Sequence, residues 1–222
     1  MNCCSSEHTQ AKDHFFSQRA KRYAKQFRKK GLDNPQQLLV EGITKALDGN
    51  GSLPPKTFLE IGCGAAGLLL TFLQKGGTSA IGVDASEGML HVAKQIAKEA
   101  GKENNITFHH GDFATLERSI PQTDVTILDK VLCCDENPKT LIEKSTAKAK
   151  EVYAVSFPKN SLLIRFIVKS GILMTKLFRM KFTPFYHEPN DLQTWIAGQH
   201  FSHVYSNSTM MWQVLVYKRN KQ

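Results

Sequence analysis

Apolar residues along this chain follow two rhythms. Short runs at 57–61, 80–84, 106–110, 124–129 and 151–157 are separated by stretches at 66–75, 86–100 and 138–149 in which apolar residues recur at helical spacing. Parallel strands need a crossover long enough to return the chain, so this alternation predicts a mostly parallel sheet with helices between its strands. The runs at 201–207 and 210–218 are parted by only a few turn residues and predict an antiparallel hairpin on one edge. Ahead of the first strand, Phe15, Phe16, Tyr23 and Phe27 mark a basic helical arm, and Asp33-Asn34-Pro35 starts a second helix through Leu38, Leu39, Ile43 and Leu47. Gly49-Asn50-Gly51-Ser52-Leu53-Pro54-Pro55 breaks that pattern as a linker. The predicted layout is one α/β domain over 1–222. It comprises a helical arm or cap at 1–50, a Rossmann-like core at 56–158, an insert or lid at 159–190, and a last helix with the hairpin at 191–222.

Composition narrows the class. With 222 residues and 41% hydrophobic content, the chain suits one compact core and excludes a disordered, collagen-like or disulfide-stapled architecture. No run of about 18 uncharged apolar residues occurs, and MNCCSSEHTQAKDHFF lacks the apolar stretch of a secretory signal. The expected location is the cytoplasm. Of the five cysteines, Cys3/Cys4 and Cys133/Cys134 are adjacent pairs and Cys63 stands apart, a pattern of reduced thiols rather than of a disulfide framework or zinc site. No metal site is expected.

The net charge of +9 is concentrated in two places: 11–30 carries +7 and 159–181 carries +6, leaving −4 over the rest. A broad nucleic-acid-binding face fits this distribution less well than a mildly acidic domain bearing two basic elements.

Chemistry concentrates in Glu60-Ile61-Gly62-Cys63-Gly64-Ala65-Ala66-Gly67, which follows a predicted strand and opens a predicted helix. Glycines there permit a tight turn and close ligand approach, and the helix N-terminus offers free N–H groups to an anion. A pyrophosphate over this loop would meet the Glu60 carboxylate. S-adenosylmethionine suits the site better, because its amino group and sulfonium are cationic while its carboxylate can face the helix. Asp84, ending the second strand, is placed to accept from both ribose hydroxyls; Asp112 is placed to accept from an adenine amino group while Phe113 covers the ring.

These residues resemble the class I S-adenosylmethionine-dependent methyltransferases over roughly 15–218. Glu60, Gly62 and Gly64 match the family's acid and alternate glycines, with Ala66 where a third glycine is usual. Val83-Asp84-Ala85-Ser86-Glu87-Gly88-Met89-Leu90 resembles its second motif, and Gly111-Asp112-Phe113 its adenine-binding motif. The resemblance implies a seven-stranded sheet with an antiparallel β6/β7 hairpin. It also implies cofactor roles for Glu60, Gly62, Cys63, Gly64, Asp84, Ala85, Asp112, Phe113 and Asp129. Many small-molecule members carry F-D-x-R-A-x-x-Y in the arm. Here it reads Phe16-Ser17-Gln18-Arg19-Ala20-Lys21-Arg22-Tyr23, so Arg19 and Tyr23 match, which implies contact with the methionine end of the cofactor, and Ser17 replaces the acid. Leu128-Asp129-Lys130-Val131-Leu132-Cys133-Cys134 and the later insert look most like the branch containing magnesium-protoporphyrin methyltransferases.

Residues after the fourth and fifth strands should face a methyl acceptor, which brings in Asp129, Lys130, Cys133, Ser156 and Phe157. His187, with Tyr186 beside it, is the candidate general base for a weakly acidic hydroxyl, against a plain reading as a surface histidine in a loop. In the insert at 161–180, Arg165, Lys169, Lys176 and Arg179 share one stripe and most of the remaining circumference is apolar. It could pack its apolar side on the domain, the commonest use of such a helix, lie peripherally on a membrane, or roof a pocket for a hydrophobic acceptor. The expected activity is methyl transfer from S-adenosylmethionine to a small hydrophobic acceptor, releasing S-adenosylhomocysteine. The alternatives are an RNA or protein methyltransferase gripping its substrate with the basic arm, and a non-catalytic cofactor-binding module with a protein partner.

Overall fold

A computed structural model describes residues 7–47, 54–179 and 182–220. Most of the linker, the Cys3/Cys4 pair, Met180 and Lys181 lie outside the described residues. The strands are β1 (Thr57–Ile61), β2 (Ser79–Asp84), β3 (Ile106–His110), β4 (Thr123–Asp129), β5 (Ala149–Pro158), β6 (Phe201–Ser208) and β7 (Trp212–Arg219). They form one sheet in the order β3-β2-β1-β4-β5-β7-β6. The first five are parallel to one another, and β7 runs antiparallel to both β5 and β6. Both the parallel core and the edge hairpin agree with the sequence reading.

The central strands β1, β4 and β5 alternate their side chains between two apolar layers, as a period of two requires when both faces are covered. Phe58, Val125, Ile127, Val152 and Ala154 point into one layer, and Leu59, Leu128, Tyr153, Val155 and Phe157 into the other. The first layer is closed by α3 (Asn34–Ala46), α4 (Gly67–Gln74) and α5 (Glu87–Glu99). The second is closed by α6 (Phe113–Leu116), α7 (Pro138–Thr146) and α9 (Pro189–Ala197). In the first layer Phe58 and Phe72 stack at 4.6 Å, and full burial of such a ring stabilises the fold by roughly 1.5–3 kcal/mol.

The basic arm is two helices rather than one: α1 (Glu7–Ser17) and α2 (Ala20–Lys30). The break coincides with contacts to a distant segment. Ser17 Oγ donates to Asp13 Oδ1 (2.7 Å), accepts from the Gly88 N–H (2.9 Å) and lies 2.8 Å from Ser86 Oγ; Asp13 Oδ1 also accepts from the Glu87 N–H (3.0 Å). The end of α1 is thereby pinned to the exposed N–H groups at the start of α5, where an acceptor is favourable. Asp13, one turn before the family's usual acid position at Ser17, supplies the carboxylate. The next helix starts as its sequence indicates: Asp33 and Gln36 form a capping box at the start of α3.

The insert forms α8 (Leu162–Leu177), with Ser161 Oγ accepting from the Ile164 N–H at its start. Of its residues only Ile164 is buried, so the reading that α8 packs its apolar side on the domain is overturned. Arg165 bridges to Glu188 (3.1 Å), and Arg165 and Lys169 lie over the Tyr186 ring at 5.9 and 5.4 Å. These contacts hold the helix by its polar flank and turn the apolar face outward.

Candidate active site

Chain order in the sheet reverses between β1 and β4, which opens a crevice at the carboxyl ends of these strands. A cavity of about 260 Å³ occupies it. The glycine loop forms its floor. Gly62 and Cys63 both donate their N–H groups to the Val83 carbonyl (2.7 and 3.1 Å), and the Gly64 N–H reaches Asp84 Oδ2 (2.8 Å), so the loop is drawn from β1 across to β2. Gly62 has φ +71°, and a Cβ there would lie 2.4 Å from Val131 Cγ2. Ala66, at the usual third glycine, takes φ +60°, a left-handed conformation that costs an alanine roughly 1–2 kcal/mol. Gly67 serves a different end, since a Cβ would sit 2.8 Å from Phe27 and push α2 off the loop.

Four acids stand at or just beyond strand ends around this floor. Asp84 accepts from the Gly64 N–H and from the Ser86 N–H (2.8 Å each), which leaves a second lone pair on each oxygen. Burial raises its pKa, and the Ser86 and Gly64 N–H groups draw it back only in part. Asp112 accepts from the Ala114 N–H (2.8 Å) at the start of α6, and from Thr9 Oγ1 at 3.4 Å. Asp129 takes the Ser156 hydroxyl on Oδ1 (2.5 Å) and Gln36 Nε2 on Oδ2 (3.1 Å). Its pKa is raised, chiefly by burial. Glu60 is only 2% exposed and Oε2 has no hydrogen-bond partner among the described residues. Burial first, then Asp129 and Asp84, lift its pKa well above the ordinary value, while the Leu69 N–H draws it down.

Lys130 ties part of this ring together. Held at φ +59°, it contacts Asp33 Oδ2 (2.5 Å) and Asp129 Oδ2 (3.4 Å). Burial disfavours its charge, but Asp129 and Asp33 outweigh that and raise its pKa. Asp33, Glu60, Asp84, Asp112, Asp129 and Asp135 line the cavity against Lys12 and Lys130, so a chain of net charge +9 presents an acidic pocket.

The arm roofs the cavity. Phe16 lines it and packs on Phe15 and Phe182 at 5.1 and 5.6 Å, His8 lies against Phe182 and Phe185, and Lys12 faces Asp135 at 3.8 Å. Tyr23, Glu60, Gly62, Cys63, Gly64, Asp84, Ala85, Asp112, Phe113 and Asp129 all line the cavity. Arg19 does not: it lies 3.6 Å over the Phe15 ring and donates to the Phe15 carbonyl. His187 and Tyr186 also stand outside the lining. His187 Nε2 lies 2.9 Å from the Asp135 carbonyl, behind the cavity wall, and Tyr186 OH contacts Glu188 at 3.5 Å. Of the acceptor-facing expectations, Asp129 and Lys130 reach the cavity and Ser156 supports Asp129 from behind. Cys133 and the buried Phe157 do not line it, whereas Cys134 does. Sequence reasoning gave no site role to Asp33, Gln36 or Val131. The first two carried a signal, the Asp-x-x-Gln capping box at the start of α3, from which Gln36 reaches Asp129 at the end of β4 and Asp33 reaches Lys130 just after it.

An acidic pocket with a donorless buried carboxylate oxygen calls for a cationic ligand bearing N–H groups. The residues present fit S-adenosylmethionine: an ammonium can meet Glu60, ribose hydroxyls Asp84, and an adenine amino group Asp112. A pyrophosphate would meet Glu60 with nothing but repulsion.

This fold and site define a class I methyltransferase architecture. A profile for the methyltransferase domain matches residues 54–219, and the chain belongs to that family of enzymes. Magnesium protoporphyrin IX methyltransferase (ChlM) from Synechocystis PCC 6803 is similar in structure. Its form with bound SAH has a TM-score of 0.71 at 23% identity, covering 97% of this chain and 100% of that one. The form with bound SAM gives 0.68 at 21% identity, over 99% and 100% of the two chains. An O-methyltransferase family protein from Burkholderia thailandensis gives 0.65 at 11% identity, over 94% of this chain and 59% of that one. At these identities the likeness establishes the fold. No curated protein sequence matches the chain.

Proposed function

We propose that the protein transfers a methyl group from S-adenosylmethionine to a small, hydrophobic acceptor. The observation that carries this reading is Glu60, a buried carboxylate with an unpartnered oxygen, set in one cavity with Asp84 and Asp112 at the ends of adjacent strands. When bound, the cofactor supplies a methyl group already activated on a sulfonium. The chain's own residues then bind, orient and exclude water, which suffices where the acceptor atom is a good nucleophile. Glu60 and Asp84 hold the cationic and ribose ends, with Asp112 and Phe113 at the adenine. Phe16 and Tyr23 close the arm over the cavity, and Asp129 with Lys130 face the acceptor side. An acceptor that is a carboxylate needs no base. For a hydroxyl acceptor, Asp129 Oδ2 is the cavity-lining group placed to take a proton, since its raised pKa moves it toward neutral pH. A cytoplasmic location belongs to the same proposal.

The test is transfer of labelled methyl groups to a panel of hydrophobic carboxylates and phenols, with RNA and protein pools in parallel. Expected is label on a small acceptor at a rate insensitive to salt. Label confined to RNA, falling steeply as salt rises, would contradict the reading, because each neutralised phosphate releases counterions.

A further inference from the structure

The apolar face of α8 is exposed in a way that ordinary surface scatter does not explain. Leu162, Leu163, Phe166, Leu173, Leu177 and the capping Phe178 are between 65% and 85% exposed, and Ile167 and Met174 nearly half. At 100° per residue these side chains fill one arc, opposite the inward-facing Ile164, Val168 and Thr175. Lys169 and Lys176 run along one flank of that arc, and Arg179 follows the last turn. Residues 159–181 hold six Lys/Arg and no Asp or Glu. No helix among the described residues is long and apolar enough to cross a membrane. An amphipathic helix of this kind, bases on its border and large apolar groups on its outer face, suits the plane of a bilayer interface.

We propose that α8 docks the protein on an anionic lipid bilayer, its apolar arc entering the boundary between headgroups and acyl chains and Lys169, Lys176 and Arg179 meeting lipid phosphates. Charge separates this partner from a second copy of the chain, since a symmetric α8 pairing would set two strongly basic segments against each other. The docked helix adjoins the cavity roof. The segment after it packs Phe182 on Phe15 and Phe16, and the Phe185 N–H donates to the Cys133 carbonyl at 2.8 Å. An apolar acceptor dissolved in the bilayer would then lie beside the cavity, a consequence that rests on the methyl-transfer reading, whereas the docking does not.

The experiment is co-sedimentation of the full chain with vesicles of phosphatidylcholine alone and of phosphatidylcholine with phosphatidylglycerol, at low and high salt. Expected is at least about tenfold stronger partitioning onto the anionic vesicles, weakened by salt, and a loss of at least about tenfold in a Phe166→Glu/Leu173→Glu variant. Both positions are exposed, and an unchanged thermal melt verifies that the variant is folded. The proposal is overturned if the wild-type chain ignores both vesicles or if the variant binds as well as the wild type. It is also overturned if the chain is a dimer without lipid and the variant a monomer. Titration with S-adenosylhomocysteine, run separately, reads the cofactor site, so a failure there leaves the docking result standing.

Discussion

Replacing Glu60 by Gln should stabilise the protein and weaken its ligand. Glu60 is buried and one oxygen lacks a partner, an arrangement that costs roughly 1–3 kcal/mol for an acceptor stripped of water. Its folded pKa lies well above its ordinary value of 4.5, pushed there by burial and then by Asp129 and Asp84. The folded state therefore binds more protons than the unfolded state between those two values. Stability is fully present below the ordinary value and is lost as pH rises through the raised one. Gln does not titrate, so the variant's advantage should be near zero at pH 4.5 and grow as pH rises through the raised value, to about 2–12 °C in Tm, at roughly 2–4 °C per kcal/mol for a chain this long. Ligand binding should move the opposite way. Loss of a charge-assisted contact to an ammonium weakens S-adenosylhomocysteine by about tenfold or more. Wild-type affinity should rise with pH as Glu60 ionises, and the variant's should not. Thermal melts and titration calorimetry across pH read both effects. A variant that is less stable at every pH, or that binds as tightly as the wild type, refutes the argument.

Other outcomes follow from the same geometry. Asp84→Ala should weaken the cofactor by about 1.5–3 kcal/mol, roughly tenfold to a hundredfold, measured by calorimetry; a change within twofold would remove the ribose assignment. Gly62→Ala should lose about 1–2 kcal/mol to its left-handed backbone and about 1–3 more to the overlap with Val131, and Val131→Ala in the same chain should recover only the second part in denaturant melts. Ser17→Ala removes the tie between α1 and the start of α5. It should weaken the cofactor by roughly twofold to tenfold and speed tryptic cleavage in α2; unchanged cleavage would mean that the tie does not hold the arm.

Much of the architecture was legible because its signals are local. Strand 57–61 has the predicted bounds, and the alternation of Phe58 and Leu59 between layers is the period of two read directly in three dimensions. The residues lining the cavity were legible because a Gly loop and acids at successive strand ends are a one-dimensional trace of a crevice. What escaped depends on contacts between distant segments. The break between α1 and α2 arises from Ser17 meeting Gly88, 71 residues away. Helical spacing alone carries no record of that contact. The outward face of α8 was undetermined for the same reason: periodicity shows that a helix is two-faced, but Arg165, Lys169, Tyr186 and Glu188 decide which face turns in. His187, a candidate base from its place in the chain, stands outside the cavity lining with Nε2 2.9 Å from the Asp135 carbonyl, a contact between segments 52 residues apart.

The central claim is that the acidic cavity above the glycine loop holds S-adenosylmethionine. Calorimetric titration of the chain with S-adenosylmethionine, S-adenosylhomocysteine and NADH tests it most directly. Expected is micromolar binding of both adenosyl ligands and none of NADH. Binding of NADH, or silence from both adenosyl ligands, would contradict it.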